Sequence, residues 1–408
     1  MIHRVYQKIV KFNEEIEAWF QEKESKTIPF YSSFDIRNAG YKAVVIDSNV
    51  FPSGFNNLCS ECYPDLSKIV KSFIDTNFSG TIKIGLISEY INNIYYYDNI
   101  ARLKRIIKEA GYSVELGAIG LSVKITVTSF SEGDITLLPV KKHQNKLHFN
   151  GFTPDLIVLN DDLSSTDTSQ LLNCSQYITP PVNVGWFNRK KHRHFTIKNE
   201  LIKEISDIIQ IDRWLIGAYF EYVENINFKE KKNFNVIAEK IDSVITQIRK
   251  KYNEYDINHD PFVFVKANSS TYGMNVIPFN SGEQFLQINS KQRVKMHKSK
   301  GGREVSDVII QEGVITKDRI NNQVSEPVLY CIGESPIGGF FRVNSRRTER
   351  ENLNTKGMSF FPHLLCPMKA DHLLSLGESN TKEEDIEVYK FLSRLGVLAI
   401  SYEIEDSV

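Results

Sequence analysis

Cysteine is scarce in this chain, with five in 408 residues, at positions 59, 62, 174, 331 and 366. So sparse and odd a set excludes a disulfide framework and points to a reducing compartment, the cytoplasm by default. Cys59 and Cys62 form a lone C-x-x-C, and no second pair at metal spacing completes the four ligands of a zinc site. An excess of either charge is also missing, because 50 Lys and Arg offset 50 Asp and Glu. This removes the electrostatic footprint of a general nucleic-acid or anionic-membrane binder, so any anion site must be local. No run approaches the roughly 18 uncharged apolar residues of a membrane span. The opening segment MIHRVYQKIVKFNEEIEAWF places Glu14, Glu15 and Glu17 where a signal peptide needs an apolar core, and it reads as an amphipathic helix. Internal repeats and low-complexity tracts are absent as well.

What is present is globular: 41% hydrophobic and 25% charged residues, in a chain too long for one ordinary core. The first half alternates helix and strand patterns. A helix near 3 to 23 precedes YKAVVID at 41 to 47, a helix near 64 to 76 precedes TIKIGLI at 81 to 87, and a helix near 98 to 110 ends at Gly111 before PDLIVLN at 154 to 160. This alternation predicts an α/β layer on a largely parallel sheet. The basic run GWFNRKKHRHF suggests a boundary near residue 195, giving domains 1–195 and 196–408. After it, Ile237, Ile241, Val244, Ile245 and Ile248 repeat at helical spacing, and strands dominate from residue 258 onward.

The chemistry-bearing residues cluster in this second half. PFVFVK ends in Lys266 and runs into ANSSTYGMNV, where Ser269, Ser270, Thr271, Tyr272 and Gly273 suit a hairpin whose backbone N–H groups approach phosphate oxygens. Lys266 would add a point charge to those phosphates. VIIQEGV is a buried-strand pattern whose exit, at Gln311, Glu312 and Gly313, suits a purine edge. Arg342 in GGFFRV could reach a transferring phosphoryl group. In RENLNTKG, Glu351, Asn352 and Asn354 offer the hard oxygens that magnesium prefers. Each piece has a plain alternative: a surface hairpin, an ordinary core strand, a solvated polar loop.

The order of the pieces, lysine strand, glycine loop, adenine strand, arginine strand and asparagine loop, resembles the ATP-grasp fold over roughly 198 to 408. With DIRNAG at 35 to 40 and DSNVFPSGFNNL at 47 to 58, the chain resembles the proteobacterial glutamate–cysteine ligase family of the ATP-grasp type. The resemblance implies ATP held between two antiparallel sheets, Mg²⁺, and formation of γ-glutamylcysteine, the first step of glutathione synthesis. Glutamate needs a cation for its α-carboxylate, and the planar fork of Arg37 is suited to that. Asn38, Asp47, Asn49, Asn56 and Asn57 would supply further polar contacts, and Arg189 and Lys190 could bind a carboxylate or phosphates. In such loops Asx side chains also cap local backbone, and a basic run is usually a solvated face. One departure concerns the metal: ENLN lacks the Glu-x-Asn spacing common in ATP-grasp enzymes, leaving Glu326, Glu403 and Glu405 as candidates for a further carboxylate. Alternatives are an ATP-grasp ligase with another amine acceptor and a nucleotide-binding protein without turnover. Nucleic-acid binding through RKKHRH is disfavoured by zero net charge and the lack of interleaved aromatics. A homo-oligomer is compatible with all of these.

Overall fold

The computed structural model describes residues 1–25, 27–59, 63–269, 276–297, 304–364 and 379–407. Three sheets organise the chain. The continuous apolar run Leu156–Asn160 is buried along its whole length, as expected of a strand covered on both faces. It lies parallel to Lys83–Ser88, which is parallel in turn to Ser113–Ile119. Strands at 125–129, 133–143, 146–149 and 177–179 complete this seven-stranded sheet. The helices Tyr63–Asn77 and Ile94–Glu109 pack with it through Leu66, Val70, Ile74, Ile100, Leu103 and Ile107. The second of these begins earlier than its apolar periodicity suggests, because the Asn93 side chain accepts the N–H groups of Tyr95 and Tyr96 and caps it there.

The other two sheets are antiparallel, as expected. In the smaller, Val308–Glu312 lies between Phe220–Val223 and Val263–Ala267, with Ile277–Phe279 at the edge. The helix Phe234–Glu254 buries Ile237, Ile241, Val244, Ile245 and Ile248, the residues whose spacing announced it. The larger sheet runs Ser359–Leu364, Ser335–Val343, Gln323–Ile332, Tyr31–Asn38, Ala43–Asn49.

This larger sheet corrects two expectations. YKAVVID does not join the parallel layer: Ala43–Asn49 pairs antiparallel with Tyr31–Asn38. A cut at residue 195 would part Tyr31–Asn38 from its hydrogen-bonded neighbour Gln323–Ile332 and would fall inside the helix Lys191–Ile209. Local periodicity reports element type, whereas sheet membership depends on partners nearly 300 residues away, such as Phe34 opposite Leu329. The N-terminal helix is also two helices, Ile2–Lys11 and Asn13–Glu22, parted at Phe12.

A buried polar cluster pins the C-terminal helix Glu383–Glu405 to this sheet. Asp318 accepts from Tyr389 Oη at 2.9 Å and Thr381 Oγ1 at 3.0 Å, and Lys317 Nζ lies 2.9 Å from Asp385 Oδ1. Burial pushes the Asp318 carboxyl up from 3.8 to about 7; the Tyr389 and Thr381 donors and Lys317 oppose the rise, and Asp385 adds to it. Between those values the folded protein holds a proton that the unfolded chain has released, so this group's contribution to stability falls as pH rises through the window. Asp318→Asn is expected to flatten the decline of thermal stability between about pH 4 and pH 7 and to raise the melting temperature at pH 8. Circular-dichroism melts across that range check it; an unchanged pH profile would contradict the assignment.

Candidate active site

Two adjoining cavities lie against the inner face of the larger sheet. A narrow slot separates it from the small sheet, with Phe264, Lys266, Ala267 and Gln311 on one side and Asp35, Ile46 and Asp47 on the other. A wide cleft of about 1120 Å³ extends from it. Asp35, Asp47 and Asn354 line both, so the two meet there.

The slot carries paired charges. Alternation along Ala43–Asn49 puts Asp47 and Asn49 on one face of the strand, and both line the cleft. Lys191 Nζ lies 2.5 Å from Asp47 Oδ1, and Lys266 Nζ donates to Ile46 O at 3.0 Å. Burial would raise the Asp47 carboxyl, but Lys191 and Lys266 more than offset it and hold it at about 2. Burial brings Lys266 down to about 8, with Asp47 pulling it back up and Lys191 opposing. Two lysines beside one carboxylate can meet phosphate oxygens. Lys191 belongs to the basic run that the sequence offers for carboxylate or phosphate binding, but the reading favoured its neighbours Arg189 and Lys190. Helical phase was the available signal, since Lys191, Phe195 and Lys198 share a buried face.

Arg189 and Lys190 are engaged elsewhere. Arg189 donates from Nε and Nη2 to the two oxygens of Glu403, each at 2.9 Å, and from Nη1 to Ser48 O at 2.8 Å. Lys190 Nζ pairs with Asp307 at 2.7 Å. Glu403 is thereby taken by Arg189, and Glu405 accepts from Ser25 at 2.7 Å; neither lines the slot or the cleft. Neither supplies the missing metal carboxylate.

Arg37 borders the slot but is 1% exposed, and its fork is occupied. Nε donates to Glu326 at 2.9 Å, Nη1 to Val314 O and Glu349 O, and Nη2 to Glu351 O. No parallel pair of donors remains for a carboxylate, so Arg37 braces the walls and does not read glutamate. Asn38 is fully buried, donating to Asp385 and Tyr389 and accepting from Gly40 N–H, and it too is structural. Asn49, Asn56 and Asn57 do line the cleft, as expected of substrate contacts. They sit on a turn that only glycine closes: Gly54 has φ +109, and a Cβ there would fall 2.7 Å from the Tyr330 hydroxyl.

Arg342 lines the cleft beside the junction. Nη1 donates to Asp35 Oδ2 at 2.8 Å and Glu326 Oε1 at 2.7 Å, and Nη2 to Asp35 Oδ1 at 3.3 Å. Its Nε is buried without a hydrogen-bond partner among the described residues. The Nε–H and outer Nη2–H edge is therefore unspent on any acceptor among the described residues, although Nε itself is buried.

At the strand exit, Glu312 borders the slot, but its carboxylate is committed to protein donors. Its carboxylate accepts from Lys42 Nζ at 2.8 Å, Trp214 Nε1 at 3.0 Å and Tyr219 N at 2.9 Å. Gly313 N–H donates to Phe262 O, and a Cβ at Gly313 would meet the Phe262 ring at 2.4 Å, so close packing explains the glycine. Gln311 stays available: it lines the slot, and its Nε2 is buried without a hydrogen-bond partner. Ser269 Oγ has no partner either among the described residues. Ser270, Thr271, Tyr272 and Gly273 lie outside the described residues, as do Cys62 and Cys366; Cys59 is buried and not in a disulfide.

The metal expectation shifts by one strand pair. Glu351 does not line the slot; its carboxylate accepts from Arg347 Nη1 at 2.8 Å and Thr348 N at 2.9 Å. Asn352 and Asn354 do line it, together with Glu326. Asp35 and Asp47 are direct cross-strand partners, with Asn49 two residues further on the same side. The Asp35 carboxyl is pushed up by burial and by Glu326 and Asp47, against the pull of Arg342. These are hard oxygen donors of the kind magnesium prefers, with Arg342 paired to Asp35 and Lys191 to Asp47.

Two antiparallel sheets enclose a slot lined by two lysines beside a polar cleft, and the family match makes the chain an ATP-dependent ligase that forms a C–N bond. Residues 6–404 match the family model GshA, glutamate–cysteine ligase. The chain belongs to the glutamate–cysteine ligase family. A candidate γ-glutamylcysteine synthetase from Methylobacillus flagellatus KT is 32% identical with a TM-score of 0.89, covering 99% of this chain and 96% of that one. More distant are D-alanyl-alanine synthetase A from Vibrio cholerae O1 (10% identity, 77% of this chain and 80% of that one, TM-score 0.35) and a glutathione synthetase-like effector from Globodera pallida (10%, 88% and 78%, 0.40). No curated protein matches the sequence significantly. Among the described residues no helix is long and apolar enough to cross a membrane.

Proposed function

We propose that the slot binds ATP, that the cleft binds glutamate and cysteine, and that the γ-carboxylate of glutamate is activated where the two cavities meet. The observation that supports this is the shared lining of Asp35, Asp47 and Asn354, through which nucleotide phosphates in the slot would meet a carboxylate in the cleft. A carboxylate is a poor acyl donor because oxide would have to leave. Its oxygen therefore attacks the terminal phosphorus of ATP, the bond to ADP breaks, and an acyl-phosphate forms. The amine of cysteine, having lost its proton, then attacks the acyl carbon and phosphate departs.

Lys191 and Lys266 hold phosphate oxygens, with Asp47 fixing the Lys191 ammonium and Ile46 O that of Lys266. The unspent edge of Arg342 meets charge on the transferring group, held in place by Asp35 and Glu326. Asp35, Asp47 and Asn49 would hold Mg²⁺, with Asn352 and Asn354 facing it. Bound there, the ion would neutralise phosphate charge. Positioning dominates, since holding the reactants together is what makes the acyl-phosphate productive before water reaches it. A reducing compartment, the cytoplasm, suits a thiol substrate and the thiols of Cys174 and Cys331.

Purified protein given ATP, Mg²⁺, glutamate and a panel of amines is expected to release phosphate fastest with cysteine. Equal or faster release with an unrelated acceptor would replace cysteine in this reading, and no turnover with any amine would leave a nucleotide-binding protein.

A further inference from the structure

The α-carboxylate of glutamate loses its expected partner once Arg37 is seen to be occupied, and the cleft itself offers another. Three cationic residues line it: Arg342, Arg102 and Lys356. Arg342 sits at the end where the slot joins, bound to Asp35, and its unspent edge faces the reacting group in the reading above. Lys356 is exposed on the loop that follows Asn354. Arg102 lies on the helix Ile94–Glu109, in the part of the cleft formed by the parallel sheet, where Glu89 follows directly on the strand Lys83–Ser88. Ligands of parallel α/β sheets gather at the carboxyl ends of the strands, and Glu89 marks one such end.

We infer that Arg102 binds the α-carboxylate of the amino acid whose distal carboxylate is activated at Arg342. This rests on the reading of Arg342 and the junction under Proposed function.

Several features support that placement. Arg102 is held rather than loose: Nη1 lies 3.1 Å from Glu132 Oε1, and Glu132 also pairs with Arg105 at 3.5 Å. An arginine presented by a helix and steadied by a second carboxylate is a better carboxylate receptor than a mobile lysine, because less side-chain freedom is lost on binding. Glu89 and Asp98 line the same region and give an α-ammonium group its counter-charge. Asp98 is fixed by accepting from Ser131 N at 2.8 Å and Ser131 Oγ at 2.6 Å. Asn99 ties this helix to the substrate turn, accepting from Gly54 N at 2.8 Å and Phe55 N at 3.0 Å. The spacing of Arg102 from the junction is therefore set by hydrogen bonds between the two cleft walls. With Arg342 beside the junction and Arg102 on the wall formed by the parallel sheet, the cleft would select an amino acid carrying two carboxylates, which is what distinguishes glutamate from cysteine as the acyl donor.

The test is a comparison of KM values for the three substrates. Arg102→Ala is expected to raise KM for glutamate about 100-fold, as loss of a charge-assisted anchor does, with KM for ATP and for cysteine within about threefold of the unmodified protein. Arg102→Lys should recover part of the loss. Preference for glutamate over 4-aminobutyrate, which keeps the reacting carboxylate and lacks the α-carboxylate, should collapse in Arg102→Ala. Parallel shifts in all three KM values would mark a structural role and overturn the inference, and so would an unchanged KM for glutamate. If the unmodified protein turns over with cysteine and a donor other than glutamate, the reading of the cleft falls first and this inference with it.

Discussion

Arg342→Lys is expected to lower kcat by about 10²- to 10³-fold while the protein stays folded and KM for ATP changes by less than about fivefold, in line with losing one oriented donor to developing charge. The reason lies in how the guanidinium divides its donors. Three of its N–H groups face Asp35 and Glu326, with distances between 2.7 and 3.3 Å. A lysine ammonium can keep positive charge between those two carboxylates, so the local balance survives. It cannot also present the unspent Nε–H and Nη2–H edge, because an ammonium is a point charge with no planar fork. Arg342→Ala would answer a different question, since it strands two carboxylates that are buried or nearly so, and breaking such a pair costs about 3–5 kcal/mol. Steady-state phosphate release together with a thermal melt separates the two cases. A kcat within tenfold of the unmodified protein, at unchanged stability, would remove Arg342 from the chemistry and leave it as a brace for Asp35.

Arg342 and Arg37 also show where sequence reasoning succeeds and where it stops. Both lie in strands with polar residues between apolar ones, and both look equally able to bind an oxyanion. What separates them is which groups arrive from far along the chain: Glu326, Glu349 and Glu351 close on Arg37, whereas Arg342 keeps one edge unspent. Tertiary partners of that kind leave no local trace. Lys266 and Asp47 were legible because a strand ending in a charge beside a glycine-containing turn is a local pattern, and so was the antiparallel pair of sheets. Other misses had local signals. Thr348 and Glu351 have the spacing of a capping box, and the Glu351 carboxylate does accept from Thr348 N–H, which takes it away from a metal. The D-x-R and D-S-N segments were read as substrate contacts; their pairing in register, Asp35 opposite Asp47, is what makes them a candidate cation site.

Behind the slot, the pair Lys42 and Glu312 carries the second large prediction. Both side chains are fully buried, 2.8 Å apart, and the ammonium lies 4.1 Å from the centre of the Trp214 ring. Lys42 precedes the strand Ala43–Asn49 of the larger sheet, and Glu312 ends the central strand of the small sheet, so the pair joins the two sheets that enclose the slot. Lys42→Met leaves Glu312 with only the neutral donors of Trp214 and Tyr219 and is expected to destabilise the protein by about 3–5 kcal/mol, the range for an uncompensated buried charge. The double variant Lys42→Met/Glu312→Gln removes both charges and should regain more than half of that, since exchanging a whole buried pair is often close to neutral. Urea unfolding of the unmodified protein, Lys42→Met, Glu312→Gln and the double variant gives the coupling directly. The same double variant decides what Glu312 does for ATP. With its carboxylate engaged by Lys42, Trp214 and Tyr219, restored stability should bring KM for ATP back to within about threefold, as expected when the residue acts only through packing. A tenfold rise in KM at restored stability would instead place Glu312 in contact with the nucleotide.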